Sequence, residues 1–292
     1  MRHAIRVSTT LLLGAAALLA GRTATAYAQD DGDKELGWFL TGEITGVWTA
    51  GNSESNTVGL AGTLRHLRER SELQFEAGAV RTESGIITRI AVGTTDDFIV
   101  EQETTRKKTA ENYYLRGRYD HQLSDRFFAF TGADWLRNTF AGIDSRLLFA
   151  AGAGNLWVDD ERLRFKTDYS ATYTFQEDVV DNPFIKTNFP GLRLSYGLWW
   201  KLTDSTDFES KLVGDWNLDN TDDIRFDFTN ALPIAISSKL AFKPSLQLLW
   251  RNEPSLTEVD LEAADGTPTG ETVLTPLEKL DSFFTLALVV KL

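Results

Sequence analysis

The side chains best equipped for chemistry in this chain are charged, and they recur at every second residue. Arg164, Lys166 and Asp168 alternate through the run L-R-F-K-T-D-Y-S-A-T-Y-T-F, and Arg116-x-Arg118-x-Asp120 and Arg225-x-Asp227 repeat the spacing. Interleaved cations and carboxylates can pair across a narrow space, or they can line a path for small ions. Catalysis asks for more than the chain offers. Beyond the first few residues the histidines are His66 and His121, each beside an expected tight turn. A hydrolase working at the outer lipid leaflet needs a Ser–His pair there, and His121-Gln122-Leu123-Ser124 lies at the opposite end. Gly152-x-Gly154 is a fragment of a phosphate loop without the strand-to-helix transition such a loop requires, and reads as small residues where strands pack closely. No His/acid cluster has metal-ligand spacing, and there is no Cys. Asp96-Asp97 and Asp219 with Asp222-Asp223 are loop acids, suited at most to weak divalent binding. The expectation is a protein with no catalytic residue, no cofactor and no resident metal.

The elements that must position these charges are strands. From Leu163 to Phe175 one face carries Leu, Phe, Thr, Tyr, Ala, Tyr and Phe, and the other carries Arg164, Lys166, Asp168, Ser170, Thr172 and Thr174. A period of two is that of a β-strand. The run is longer than an ordinary strand, and about 9–11 tilted residues cross a bilayer. Comparable segments are expected at 37–50, 56–67, 72–81, 111–122, 126–136, 145–158, 162–175, 191–202, 207–217, 223–236, 239–251 and 279–291. Their connections alternate between tight turns rich in Asp, Ser and Thr and longer loops, as in outer-membrane barrels with short periplasmic turns. The predicted fold is all-β: a transmembrane up-and-down antiparallel barrel of about 12 strands with both termini periplasmic. Residues 82–110 are expected to be an ordinary extracellular loop, with a hairpin above the membrane or a segment folded into the barrel mouth as the alternatives. Residues 252–278, with Asp265-Gly266-Thr267-Pro268, read as a flexible loop.

The first residues resemble an export leader. Arg2, His3 and Arg6 precede an apolar run from Leu11 to Ala20, and Ala26-Tyr27-Ala28 offers small residues for cleavage before Gln29. The expected organisation is therefore a cleavable signal over 1–28 and a barrel over 29–292. The formal charge of −12 argues against nucleic-acid binding, which needs basic surface. Trp38, Trp48, Tyr113, Trp135, Trp157, Trp200, Trp216 and Trp250 fall near strand ends, where Trp and Tyr satisfy both ring and polar tip at the membrane interface.

A charge facing hydrocarbon at the bilayer midplane costs about 2–4 kcal/mol, so the charged faces should point inward. The candidate lumen residues are Arg116, Arg118, Arg146, Arg164, Lys166, Asp168, Arg193, Lys211, Arg225 and Asp227, with Lys201, Lys239 and Lys243 and the acids Glu43, Glu72, Glu76, Asp120, Glu209 and Asp215 alongside. They either close a narrow lumen with ion pairs or line a small pore with a modest preference for anions. The alternative to a membrane barrel is a soluble, secreted β-protein with a binding surface.

Several short motifs resemble the salt-induced outer-membrane proteins, a bacterial family built on a domain of unknown function. These are Gly51-Asn52-Ser53-Glu54, Arg118-Tyr119-Asp120 leading into Leu123-Ser124-Asp125-Arg126-Phe127-Phe128, and Gly142-Ile143-Asp144-x-Arg146 leading into Gly152-x-Gly154. The resemblance implies a Gram-negative outer-membrane barrel and carries over no enzyme activity, ligand or functional residue. The expected partners are membrane lipid, lipopolysaccharide and the barrel-assembly machinery, with a small solute if the lumen conducts, and the expected state is a monomer. The chain ends Val290-Lys291-Leu292 rather than on the aromatic residue usual in such barrels, but Phe284, Leu286, Leu288, Val290 and Leu292 share one face, so the assembly signal is expected to be weakened but present.

Overall fold

The computed structural model describes residues 36–49, 54–93, 98–182, 186–263, 265 and 267–291. The expected signal over 1–28, and residues Gly51, Asn52 and Ser53, lie outside them. The described chain forms β1 (Gly37–Thr49), β2 (Glu54–Leu67), β3 (Ser71–Gly93), β4 (Phe98–Ser124), β5 (Phe127–Asn138), β6 (Ile143–Asp159), β7 (Leu163–Asp178) and β8 (Asn188–Lys201). These are followed by β9 (Asp207–Asn217), β10 (Ile224–Ala231), β11 (Ile234–Ala235), β12 (Leu240–Arg251), β13 (Leu256–Glu262), β14 (Pro268–Pro276) and β15 (Leu280–Lys291).

Consecutive strands from β1 to β10 pair antiparallel, β10 also pairs β12, β12 pairs β15, and β15 returns to β1. The sheet thus closes on itself as a twelve-stranded barrel, with the two-residue β11 a spur on β12. Closure leaves no unpaired edge, as a strand structure in lipid requires. The register sets the inside and the outside. Leu115 and Tyr119 on β4, Phe149 on β6, Tyr169, Tyr173 and Phe175 on β7, Leu192 and Leu194 on β8, and Phe284, Leu286 and Leu288 on β15 all lie exposed on the outer wall. The residues between them face inward and are largely polar: Asp168, Ser170, Thr172, Thr174 and Gln176 on β7 are all buried. An apolar outside and a polar inside mark an outer-membrane barrel.

Gly37 pairs with Leu67 and Lys291 with Thr41, so both described ends of the chain lie at the end carrying the tight turns. Trp38, Trp157 and Trp200 face outward at that end, and Trp135 and Trp216 at the other. The indoles of Trp135, Trp157 and Trp216 donate to Ser145 Oγ, Thr167 Oγ1 and the Thr221 carbonyl, which keeps their polar tips satisfied at the interface.

Three expectations need correction. Residues 82–110 are not an ordinary loop. β3 and β4 run on as paired strands to Gly93 and Phe98, because that segment is rich in Ile, Val and Thr, which suit a pleated ribbon. Residues 252–278 are not a flexible loop either. They contain the β13–β14 hairpin, paired from Leu256↔Pro276 to Glu262↔Pro268. The tenth strand ends early: β10 stops at Ala231, Leu232 still donates to the Pro244 carbonyl, and Pro233, which has no N–H to give a ladder, separates it from the short β11.

Candidate functional site: the barrel lumen

The lumen divides into two unlike halves. At the tight-turn end a cavity of about 310 Å³ is lined by residues from the turn-proximal parts of β3 to β10 and β12, including Glu72, Glu76, Arg116, Arg118, Asp168, Lys166, Arg193 and Lys211. It penetrates no further than the level of Asp134, Ser170, Arg193 and Val213. In the other half the described inward side chains are packed together. Thr57, Val80, Thr82, Asn138, Thr172, Thr174, Gln176, Phe189, Asn217, Gln247, Phe283 and Ala287 are all buried there. A void of only about 10 Å³ lies among Arg146, Thr174, Phe189, Asn217 and Arg225, room for about one water.

Ion pairs tie the strands together, two of them as chords between strands three apart. The Arg193 Nη1 on β8 donates to Asp134 on β5 at 2.8 Å, while its Nε and Nη2 hold both oxygens of Asp215 on β9 at 2.6 and 3.0 Å. Arg118 on β4 donates to Asp120 at 2.6 Å and to Asp168 on β7 at 3.0 Å, and the Ser195 hydroxyl donates to the same Asp168 at 3.2 Å. The Arg118 guanidinium also lies 3.9 Å from the Phe130 ring centroid, a cation–π contact that covers its apolar face. Arg116 pairs with Glu76 at 3.4 Å, Arg65 with Glu72 at 2.7 Å, and Lys243 with the buried Glu43. The bidentate Arg193–Asp215 pair is geometrically specific as well as strong.

The sealed half has its own centre at Asp223. Its carboxylate accepts from Arg225 at 2.9 and 2.5 Å and from Asn217 at 3.2 Å, with Arg251 at 3.5 Å. Burial alone would push this carboxyl up, but the hydrogen bonds and charge of Arg225, then Arg251 and Asn217, hold it below the usual carboxylate range. Arg225 also donates to Gln176 on β7 at 2.7 Å. Over this layer lie the described parts of two loops. Phe140, in the short 3-10 turn Thr139–Ala141, meets the inward Phe283 of β15 edge-on with ring centroids 5.9 Å apart. Ser255, at the neck of the β13–β14 hairpin, is buried and accepts from Arg251 at 2.7 Å. Gly142 sits beneath that neck at φ 73°, and a Cβ there would run into Ser255 and Leu277, so the position demands glycine for both conformation and space.

The structure places Arg116, Arg118, Arg164, Lys166, Asp168, Arg193 and Lys211 on the cavity wall. Arg146 and Arg225 lie in the sealed half beside the small void, and Asp227 accepts from Thr229 at 3.2 Å and Gln247 at 2.9 Å. Arg164 pairs with Asp159 at 3.4 Å and Lys201 with Asp204 at 3.3 Å, both near the turns. Lys239 is a correction: it is exposed in the turn between β11 and β12, because β11 ends at Ala235 and the chain reverses there. His66 stacks on Trp38 at 4.3 Å, and His121 stacks against Tyr119 at 6.5 Å.

Four contributors were missed from the sequence: Asp134, Asp223, Phe140 and Phe283. On β5 the inner face begins with Phe128 and Phe130, which pack with Leu148 and Ala150, so hydrophobicity alone assigns that strand's faces wrongly. Asp223 reads as a solvated loop acid until the register sets Arg225 opposite Arg251. For Phe140 no local signal exists, since its partner is far away in sequence.

A family model described as "Protein of unknown function, DUF481" matches residues 42–263. The uncharacterized protein YdiY of Escherichia coli (strain K12) is 23% identical over 149 residues, which are 51% of this chain, and the chain spans only 56% of the length of that curated relative. Among solved structures, the NanC porin is similar at 10% identity and a TM-score of 0.48, over 87% of this chain and 100% of that one. A FadL homologue of Pseudomonas aeruginosa is similar at 12% identity and a TM-score of 0.36, over 87% and 74%. The anion-selective porin from Comamonas acidovorans is similar at 10% identity and a TM-score of 0.38, over 88% and 100%.

Proposed function

Since the chain belongs to the family described as Protein of unknown function, DUF481, whose description names no activity, we propose its role from the lumen: a non-enzymatic barrel of the outer membrane that does not conduct at rest. It closes on the extracellular side and presents a cavity to the periplasm. One observation carries this reading. The 310 Å³ cavity stops at the Arg193 level, and beyond it the described inward residues are packed around the Arg225–Asp223 pair.

Eight strands leave room only for side chains, and 16–18 leave an aqueous channel. Here twelve strands are filled in one half and open in the other. Opening the filled half would strip Asp223 of Arg225 and leave a buried charge without its partner, which is strongly unfavourable. The reading is of an envelope component that acts structurally while holding a binding cavity on its inner side. Its expected setting is that of a monomer folded into the membrane by the assembly machinery, with its outer loops among lipopolysaccharide.

Liposome swelling tests it. Vesicles carrying the purified protein should take up a pentose or glycine no faster than vesicles of lipid alone. Swelling that scales with the amount of protein would defeat the reading.

A further inference from the structure

Of the strand-borne cations on the cavity wall, Arg116, Arg118, Arg164, Arg193 and Lys243 each meet a carboxylate and two do not, while Arg68 and Arg70 sit in the turn between β2 and β3. Lys166 on β7 and Lys211 on β9 donate no hydrogen bond and enter no ion pair within 4 Å among the described residues. The register sets them on one row. Lys166 pairs with Gly197 of β8, and Gly197 pairs with Lys211, so at about 4.8 Å between strands the two backbones stand about 10 Å apart. No side chain rises between them. A Cβ at Gly197 would lie 3.6 Å from the Lys166 Cε, so the lysine stem lies beside the bare glycine, and its ammonium sits 5.7 Å from the Phe128 ring centroid.

Arg118 and the Ser195 hydroxyl both donate to Oδ2 of Asp168, two residues from Lys166, and Glu209 lies two residues from Lys211 along β9. Phe128, Leu156, Trp199 and Val213 line the same cavity. Two ammonium groups without an ion pair on one row, with Phe128 beside the first, suit a ligand with a carboxylate at one end and a compact apolar body. The volume matches a small molecule rather than a polymer.

We propose that the Lys166–Gly197–Lys211 row is a binding site for a small aromatic or aliphatic carboxylate that enters from the periplasm. This rests on the reading of the lumen as a cup closed on its outer side, which the swelling assay tests separately.

The probe is benzoate, titrated by calorimetry into the full-length mature protein in detergent, with benzyl alcohol as the neutral isostere and inorganic phosphate as the anion without an apolar body. Benzoate is expected to saturate with one site per chain, more tightly than either control. Lys166→Gln and Lys211→Gln keep the stems and remove the charges, and each should weaken benzoate about tenfold or more. Gly197→Val should weaken it without removing either charge. Heat-modifiable migration in detergent gels verifies that each variant is folded. Saturable benzoate binding that both lysine variants retain, benzyl alcohol binding equally well, or no saturation at all would each overturn the site. If benzoate fails to bind while the vesicles stay tight, the site falls and the closed barrel stands. If the vesicles swell while benzoate binds with the expected lysine dependence, the closed barrel falls and the site stands.

Discussion

At the scale of single residues, the account turns on which charges have partners. Arg225 is the clearest case, since it holds both oxygens of the buried Asp223 and reaches Gln176 three strands away. Removing one member of a buried pair leaves the other uncompensated, at a cost of about 3–5 kcal/mol. Arg225→Ala should therefore destabilise the folded barrel by that amount in urea titrations of protein reconstituted in liposomes, and Arg225→Lys should recover part of it. A variant within about 0.5 kcal/mol of the parent, as at an ordinary surface site, would mean that the pair does not hold the outer half together. Parity alone placed Arg116, Arg118, Arg164, Lys166 and Asp168 on one side of their strands. It did not pair Arg118 with Asp168 or Arg193 with Asp134, because those contacts cross the lumen between strands three apart, and alternation within a strand carries no information about what stands opposite.

At the scale of elements, the wall strands were the legible part, since a two-residue period sustained over a strand such as β7, 16 residues long, leaves little choice of structure. The connections were not. The β3–β4 ribbon continues well past the expected wall, and the β13–β14 hairpin occupies a stretch whose Asp, Gly, Thr and Pro content reads as loop. Turn-rich composition marks where a chain reverses, and says less about whether the flanks pair. The two parts of that hairpin differ in what they touch. Its neck, at Ser255 and Leu277, lies against Gly142, whereas β13 and β14 themselves are largely exposed. Replacing residues 258–274 by a short Gly/Ser linker should leave heat-modifiable migration and urea stability within about 0.5 kcal/mol of the parent, as for other changes away from packed contacts. A barrel that no longer folds after that deletion would show that the hairpin tip is part of the closure.

At the scale of the whole molecule, a barrel closed at one end and hollow at the other is a different object from a pore of the same strand number. Closure of the sheet, its apolar outer wall and its polar inner face all follow from strand length and period. Whether such a lumen is open follows instead from how inward side chains from distant strands meet, which is why the sequence left both a filled and a conducting lumen open. The Arg193 chord at the floor of the cavity, the Arg225–Asp223 centre and the Phe140–Phe283 contact all favour the filled outer half. Planar-bilayer recording of the purified full-length mature protein tests this most directly. The account predicts no current above that of the detergent control, in a bilayer where a reference porin conducts. Stable single-channel steps from the unaltered protein, with an ion preference that reverses on Arg193→Glu, would contradict it.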